Sequence, residues 1–162
     1  MEKWEIQDKL SEAIQLCSIH SERMTFAHNN IKKHFPLSMD NYLTLQAVEL
    51  SFFDQLIFRF SKMQDSMGNK LFPAILEYLG EDVKGKPFID QLSKLEELNI
   101  ITNTNDWMLL CETRNIVTHE YPFITDDVIQ GLNLLHTHYL LLIKIWEHIL
   151  KYINQRNIST KI

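Results

Sequence analysis

Glycine and proline are scarce in this sequence of 162 residues, which contains four of each. All-β sandwiches and barrels need many tight turns built from these residues, so the sequence argues against both architectures. The longest uninterrupted apolar stretch, residues 139–143, is far shorter than the roughly 20 residues of a membrane-spanning helix. The first residues are charged from position 2 onward and no apolar signal-peptide segment follows them. We therefore expect a soluble, cytoplasmic protein.

Cysteine and basic charge are also limited. Cys17 and Cys111 are the two cysteines, and they lie in apolar surroundings without CxxC spacing, so we expect two buried, reduced thiols. Sixteen basic and 21 acidic residues give a net charge of −5, which excludes a nucleic-acid binder that works by bulk positive charge. The seven histidines do not combine with carboxylates or cysteines at metal-ligand spacing, so the sequence predicts no metal site and no cofactor.

The apolar residues of the first half recur at helical spacing. The first helix should span residues 2–34 and end before Pro36. Ser38 and Asp40 are both suitable N-caps for a second helix, which is apolar around most of its circumference and is predicted to be the central helix. We expect a bend or short break at residues 65–68. A following helical segment should have Pro73 in its first turn and end at Gly80.

The second half continues the helical pattern. Residues 80–87 form the clearest loop, and a short helix is predicted over residues 88–98. A fifth helix should start near Trp107 and end before Pro122, and a last helix capped by Thr125 should run to about Asn154. The sequence thus predicts an all-α, up-and-down bundle of about four main helices plus short ones. It forms a single domain over residues 1–156, with a frayed tail at 157–162.

One segment, residues 111–122, combines side chains that suit phosphodiester chemistry. Histidine can take or give a proton near neutral pH, and arginine offers a positive fork for phosphate oxygens, so His119 and Arg114 could cut such a bond without a metal. Asn115 lies four residues before His119 and shares its helix face. His119 lies about 140° around a regular helix from Arg114. Convergence therefore requires a distorted helix or a second copy across a symmetric dimer.

The pattern Arg114-Asn115-x3-His119-x-Tyr121 resembles the signature of HEPN domains, an all-α family, and in particular its HepT-like toxin branch. The resemblance implies an endoribonuclease in which Arg114 and His119 of two protomers meet in a cleft at the homodimer interface and cut RNA, but not DNA, without metal. Asn115 would be their polar companion. In that branch a minimal nucleotidyltransferase antitoxin attaches AMP to the tyrosine, and Tyr121 occupies that position.

The sequence leaves several questions open. An acidic residue often supports the cleft in this family, and Glu49, Asp54 and Glu112 are equal candidates. A catalytically silent module that binds a nucleotidyltransferase and presents its substrate, or a plain dimeric scaffold, would carry the same helices. In a purely structural interpretation, Arg114 pairs with Glu112 or Asp106, His119 caps the end of its helix, and Tyr121 packs against the last helix. Lys62, Lys70, Arg59 and Lys144 could form a local basic track once the chain is folded.

Overall fold

The computed structural model describes residues 2–119 and 123–158. This part of the chain contains α-helices and no strand, so the predicted all-α bundle is confirmed. The helices are α1 (Lys3–Ile31), α2 (Met39–Leu43), α3 (Ala47–Ser66), α4 (Phe72–Tyr78), α5 (Phe88–Glu97), α6 (Thr104–His119) and α7 (Asp126–Gln155). Four of them, α1, α3, α6 and α7, have 16 residues or more and correspond to the predicted main helices. No helix of the described ranges is long and apolar enough to cross a membrane.

Helix α1 forms as predicted and ends in a 3-10 turn, Lys32–His34, just before Pro36. The second predicted helix is wrong as a single element, because it divides into α2 and α3. Ser38 caps α2 by accepting a hydrogen bond from the Asn41 N–H at 3.1 Å. A second N-terminus follows at once, since Gln46 and Glu49 form a capping box that starts α3. A local capping motif therefore outweighs the continuous apolar pattern.

Of the bend or short break predicted at residues 65–68, the break is wrong. A π-helical turn, Met67–Leu71, instead carries α3 directly into α4. Such a turn shifts the register of backbone hydrogen bonds without interrupting the helix. Pro73 lies in the first turn of α4, as predicted. Gly80 follows α4 with a φ of +83°, a left-handed conformation that glycine adopts without steric cost.

Helices α5 and α7 agree with the predicted ones to within a residue or two, and α6 begins three residues earlier than expected. The Thr125 hydroxyl caps α7 by accepting a hydrogen bond from the Val128 N–H at 3.3 Å. The predicted end of α6 before Pro122 falls outside the described residues. In the predicted tail, Ile158 is buried and its N–H donates to the Ile153 carbonyl, while residues 159–162 also lie outside the described part.

The core lies where α1 and α3 pack against each other and against α4, α6 and α7. Its largest fully buried side chains are aromatic: Phe53, Phe60, Phe72 and Trp107. The Phe72 and Trp107 rings lie 4.7 Å apart between centroids, which fixes the start of α6 against α4. Helix α6 contacts α3 on one side and α7 on the other. Polar side chains of α6 can therefore lie either beside α3 or beside α7.

Candidate functional site on helix α6

Helix α6 is fixed to α7 by a partly buried hydrogen bond and a close backbone approach. The Thr113 side chain is completely buried and its hydroxyl is hydrogen-bonded to Nδ1 of His138 on α7. Burial lowers the pKa of His138, so the ring is neutral and its Nδ1 can accept from the hydroxyl. One turn further along α6, Ile116 lies against Gly131 of α7. A Cβ added at Gly131 would come within 2.6 Å of the Ile116 Cγ2 atom. Only glycine allows this approach at the observed separation.

Arg114 points from α6 toward α3. Its Nη1 donates a hydrogen bond to Oδ1 of Asp65 at 2.7 Å, and this ion pair is partly open to solvent, with 30% of the arginine side chain and 48% of the aspartate side chain exposed. The contact holds the guanidinium at the end of α3, beside the π-helical turn. If Arg114 had a purely structural role, the sequence predicted Glu112 or Asp106 as its ion-pair partner. Asp65, 49 residues away in the chain, occupies that place instead.

Asn115 and His119 point away from α3. Both are exposed, and together they line a groove of about 540 Å³ between α6 and α7. Ile116, Gly131 and Leu134 form its apolar floor and wall, while Asp127 and Gln130 of α7 add polar groups. The structure thus brings Asn115 and His119 together, as their spacing predicted. It adds the carboxylate of Asp127, which was not predicted from the sequence to lie beside them. The N-cap residue Thr125 was the available signal, because it fixes the start of α7 and Asp127 lies in the first turn of that helix.

Within one chain Arg114 and His119 do not share a site. Arg114 lies on the α3 side of α6, and His119 lies in the groove on the α7 side. The described part of α6 is a regular α-helix up to His119 and contains no distortion that would rotate one toward the other. The sequence left two routes to convergence open, and the segment around Pro122, where the distortion was expected, lies outside the described residues.

The three acidic candidates occupy different places. Glu49 lies 3.3 Å from His34 and caps the start of α3, far along that helix from Asp65. Asp54 lines a cleft between α3 and α6, the same cleft that Asp65 lines. Glu112 is exposed on α6. Arg114 itself contacts Asp65, which the sequence did not single out. Tyr121 lies outside the described residues.

His28, His136 and the two cysteines pack against other side chains of the bundle. Nε2 of His28 and Nδ1 of His136 are hydrogen-bonded at 2.8 Å, and the Tyr139 ring stacks on the His28 ring with 3.9 Å between centroids. Burial lowers the pKa of His28 to about 4. Cys17 is buried, which raises the pKa of its thiol to about 12. The prediction of a second buried thiol is wrong, because Cys111 is only half-buried at the edge of α6 near Gln64. Among the residues described, no group of three or more potential ligands is placed to hold a metal ion.

The exposed side of α6 is more apolar than a solvated helix face normally is. Four large apolar side chains on α6 and the adjoining part of α7 are 38–44% exposed. They are Met108, Leu109, Ile116 and Leu134. Asn115 and His119 lie among them, so a partner that covers the apolar side chains would also enclose the two polar ones. Contiguous exposed apolar residues with a polar centre are typical of protein–protein interfaces.

Comparison with known proteins adds no family assignment. No protein-family model, no curated protein and no solved structure matches the chain. The function must therefore be inferred from the residues and their geometry.

Proposed function

We propose that the protein is a metal-independent endoribonuclease toxin of the HEPN type, which acts as a homodimer and is silenced by a minimal nucleotidyltransferase antitoxin. One observation carries the proposal. The last two turns of α6 present Arg114 on one side and Asn115 with His119 on the other, and these are the residue types and spacing of the HEPN signature. Arg114, Asn115 and His119 are all accessible to solvent in the folded chain.

The chemistry follows from these groups. His119 takes the proton from a ribose 2′-hydroxyl, and the 2′-oxygen then attacks the adjacent phosphorus. The bond from phosphorus to the 5′-oxygen breaks, and that oxygen receives a proton from water as it leaves. Arg114 stabilises the negative charge that builds on the phosphate oxygens, and Asn115 orients the phosphate through its amide. The products are a 2′,3′-cyclic phosphate and a 5′-hydroxyl. DNA lacks the attacking group and is not cut.

A homodimer is required because the two key side chains diverge within one copy. A two-fold axis beside α6 would place His119 of one protomer opposite Arg114 of the other. The same contact would cover Met108, Leu109 and Ile116. We therefore expect the interface over residues 107–122. Light scattering at micromolar concentration should give the mass of a dimer, and a monomer would contradict the composite cleft.

A second candidate function rests on the ion pair between Arg114 and Asp65. In the free chain this carboxylate already neutralises the guanidinium that the nuclease needs for phosphate. An arginine held in this way suits a catalytically silent module that binds a nucleotidyltransferase and presents its substrate. The exposure of the pair favours the nuclease, because a phosphodiester anion of RNA can displace a solvent-accessible carboxylate at little cost.

Expression of the chain alone in cells tests the proposal. We expect growth arrest with the wild-type chain and normal growth with the double variant Arg114→Ala, His119→Ala. The matched control is Arg156→Ala, His148→Ala, which removes the same residue types at the far end of α7 and should still arrest growth. Equal growth of all three strains, at equal levels of soluble protein, would remove the toxin and leave the silent module.

A further inference from the structure

A group of positive side chains surrounds His20 where α1 and α3 pack. The Nη1 atom of Arg59 lies 3.0 Å from Nδ1 of His20, and the His20 side chain is almost fully buried. Burial, followed by the positive charges of Arg59, Lys62, Arg23 and Lys70, lowers the pKa of His20. The ring is therefore neutral and accepts the hydrogen bond from Arg59. Four cations thus lie close together on a chain whose net charge is −5.

These charges are poorly compensated. Within residues 2–119 and 123–158, none of the four cations has a carboxylate within 4 Å. The Nε atom of Arg59 is buried and has no hydrogen-bond partner in the same part of the chain. Burial, and then Arg23, lowers the pKa of Arg59. Like charges held together in this way destabilise the free protein, and a bound anion would relieve the repulsion.

An exposed aromatic ring lies beside two of these cations. Phe58 of α3 is 50% exposed, which is unusual for phenylalanine in a helix that contributes to the core. Both cations lie over the ring in cation–π contacts, the guanidinium carbon of Arg59 at 5.1 Å and Nζ of Lys62 at 5.7 Å from its centroid, so a stacked base would replace one of them on the ring face. A ring flanked by cations is the arrangement that proteins use to stack a nucleobase while they bind its phosphates.

The ring opens into the cleft between α3 and α6. This cleft has a volume of about 620 Å³, and Phe58, Lys62, Val117 and Thr118 contribute to its lining. Asp65 lines the same cleft, and its carboxylate holds Arg114. Lys62 and Asp65 are three residues apart on α3, about 4.5 Å along the helix axis. Of the four cations, Lys62 lines the cleft itself, together with the carboxylates of Asp54 and Asp65, and Arg114 adjoins the cleft through its ion pair with Asp65.

We propose that this cleft binds a nucleobase of single-stranded RNA on the Phe58 ring, with the flanking phosphates on Arg59 and Lys62. Arg23 and Lys70 continue the phosphate path toward α1, and Arg114 ends it at the site of cleavage. The proposal deepens the proposed function and rests on it for the identity of the strand as RNA. An acidic protein partner would satisfy the cations but has no use for the exposed ring, so the ring favours a nucleic acid.

Binding is measured with a fluorescent 2′-O-methyl RNA of about 12 nucleotides, which the wild-type protein can bind but cannot cut. We expect Phe58→Ala to weaken binding roughly five- to a hundredfold, the range found for loss of one stacked base, and Phe58→Trp to retain it. The double variant Arg59→Gln, Lys62→Gln should lower the slope of log affinity against log salt by about 1.4, or about 0.7 for each lost phosphate contact.

The controls separate this site from general charge and from exposed aromatic surface. Trp4→Ala removes another exposed aromatic ring, and Lys84→Gln, Lys86→Gln removes two charges from the loop after α4, so neither should change binding more than twofold. A DNA strand of the same sequence should bind within a few-fold of the RNA, and its duplex should bind more weakly because its bases are stacked. Polyglutamate should not displace the RNA when it is added at the same concentration of negative charges.

The outcomes distinguish the two proposals. Three results would overturn the stacking site. RNA binding could be unchanged by Phe58→Ala, the protein could prefer the duplex, or polyglutamate could displace the labelled RNA as readily as unlabelled RNA does. The absence of any RNA binding would overturn it as well. Binding that follows the expected pattern while unmodified RNA stays intact would support the site and count against the proposed nuclease.

Discussion

Gly131 offers a direct test of how α6 and α7 are held together at the candidate site. The substitution Gly131→Ala adds a methyl group whose carbon would lie 2.6 Å from Cγ2 of Ile116 and 3.5 Å from Cγ1 of Val117. The first distance is a severe overlap, and the second is an ordinary contact. Ile116 cannot easily rotate away, because a β-branched side chain in a helix has one strongly preferred rotamer. Either α6 moves or the side chain is strained.

Two opposing terms give the size of the effect. Replacing glycine by alanine inside a helix stabilises the folded chain by about 1 kcal/mol. Overpacking costs about 1–3 kcal/mol. We therefore expect Gly131→Ala to lower the free energy of unfolding by about 1 kcal/mol. In a chain that already carries Ile116→Ala the overlap is gone, and the same substitution should raise the free energy of unfolding by about 1 kcal/mol.

Urea denaturation followed by circular dichroism measures all four proteins of this cycle. With a typical slope, a change of 1 kcal/mol moves the midpoint by about 0.5 M. The expected coupling between the two positions is about 2 kcal/mol, and its signature is the reversal of sign between the two backgrounds. If Gly131→Ala stabilised the wild-type chain as much as it stabilised the Ile116→Ala chain, α6 and α7 would not approach as closely as described.

Three further predictions concern pH, mechanism and regulation. Burial, and then His136 and Lys32, lowers the pKa of His28 from 6.5 to about 4. As the pH falls from 6.5 to 4, the unfolded chain therefore binds a proton that the folded chain does not. Over this range the free energy of unfolding of the wild type should fall by up to about 3 kcal/mol more than that of His28→Phe, as measured by urea denaturation at several pH values. RNA cleavage should persist in EDTA and leave 2′,3′-cyclic phosphate ends; chelator-sensitive cleavage, or equal cleavage of DNA, is incompatible with the mechanism. Co-expression with a minimal nucleotidyltransferase of the proposed antitoxin type should add AMP to the Tyr121 peptide and not to that of Tyr121→Phe, and an unmodified peptide beside an active partner enzyme would contradict this control point.

Periodicity and capping residues were sufficient to predict most helices. Thr125 and Gly80 mark a helix start and a helix end that the structure places as expected, since both act through bonds or angles within a few residues. The division between α2 and α3 was not predicted, because the capping box of Gln46 and Glu49 lies inside an apolar pattern that favours a continuous helix. The π-helical turn was not predicted for a related reason, because its residues have the same apolar spacing as an α-helix.

The candidate site was predictable only where it is local. Asn115 and His119 share a groove because they are four residues apart on one helix, and this follows from helix geometry alone. The partner of Arg114 was missed, because Asp65 reaches it only through the packing of α3 against α6. The cations around His20 were recognised only in part, since Arg23 joins Arg59 and Lys62 through the contact between α1 and α3. Tertiary contacts of this kind leave no signal in the spacing of residues.

The most direct test of the composite site is a mixing experiment. Arg114→Ala and His119→Ala chains are purified separately, unfolded and refolded together in equal amounts, and assayed for RNA cleavage in EDTA. Each variant alone should be inactive. Half of the dimers in the mixture combine the two variants, and each of these has one of its two pairs of Arg114 and His119 intact across the interface, so the mixture should regain about one quarter of the wild-type activity. A mixture that forms mixed dimers and stays as inactive as either variant alone would contradict a site shared between two copies of the chain.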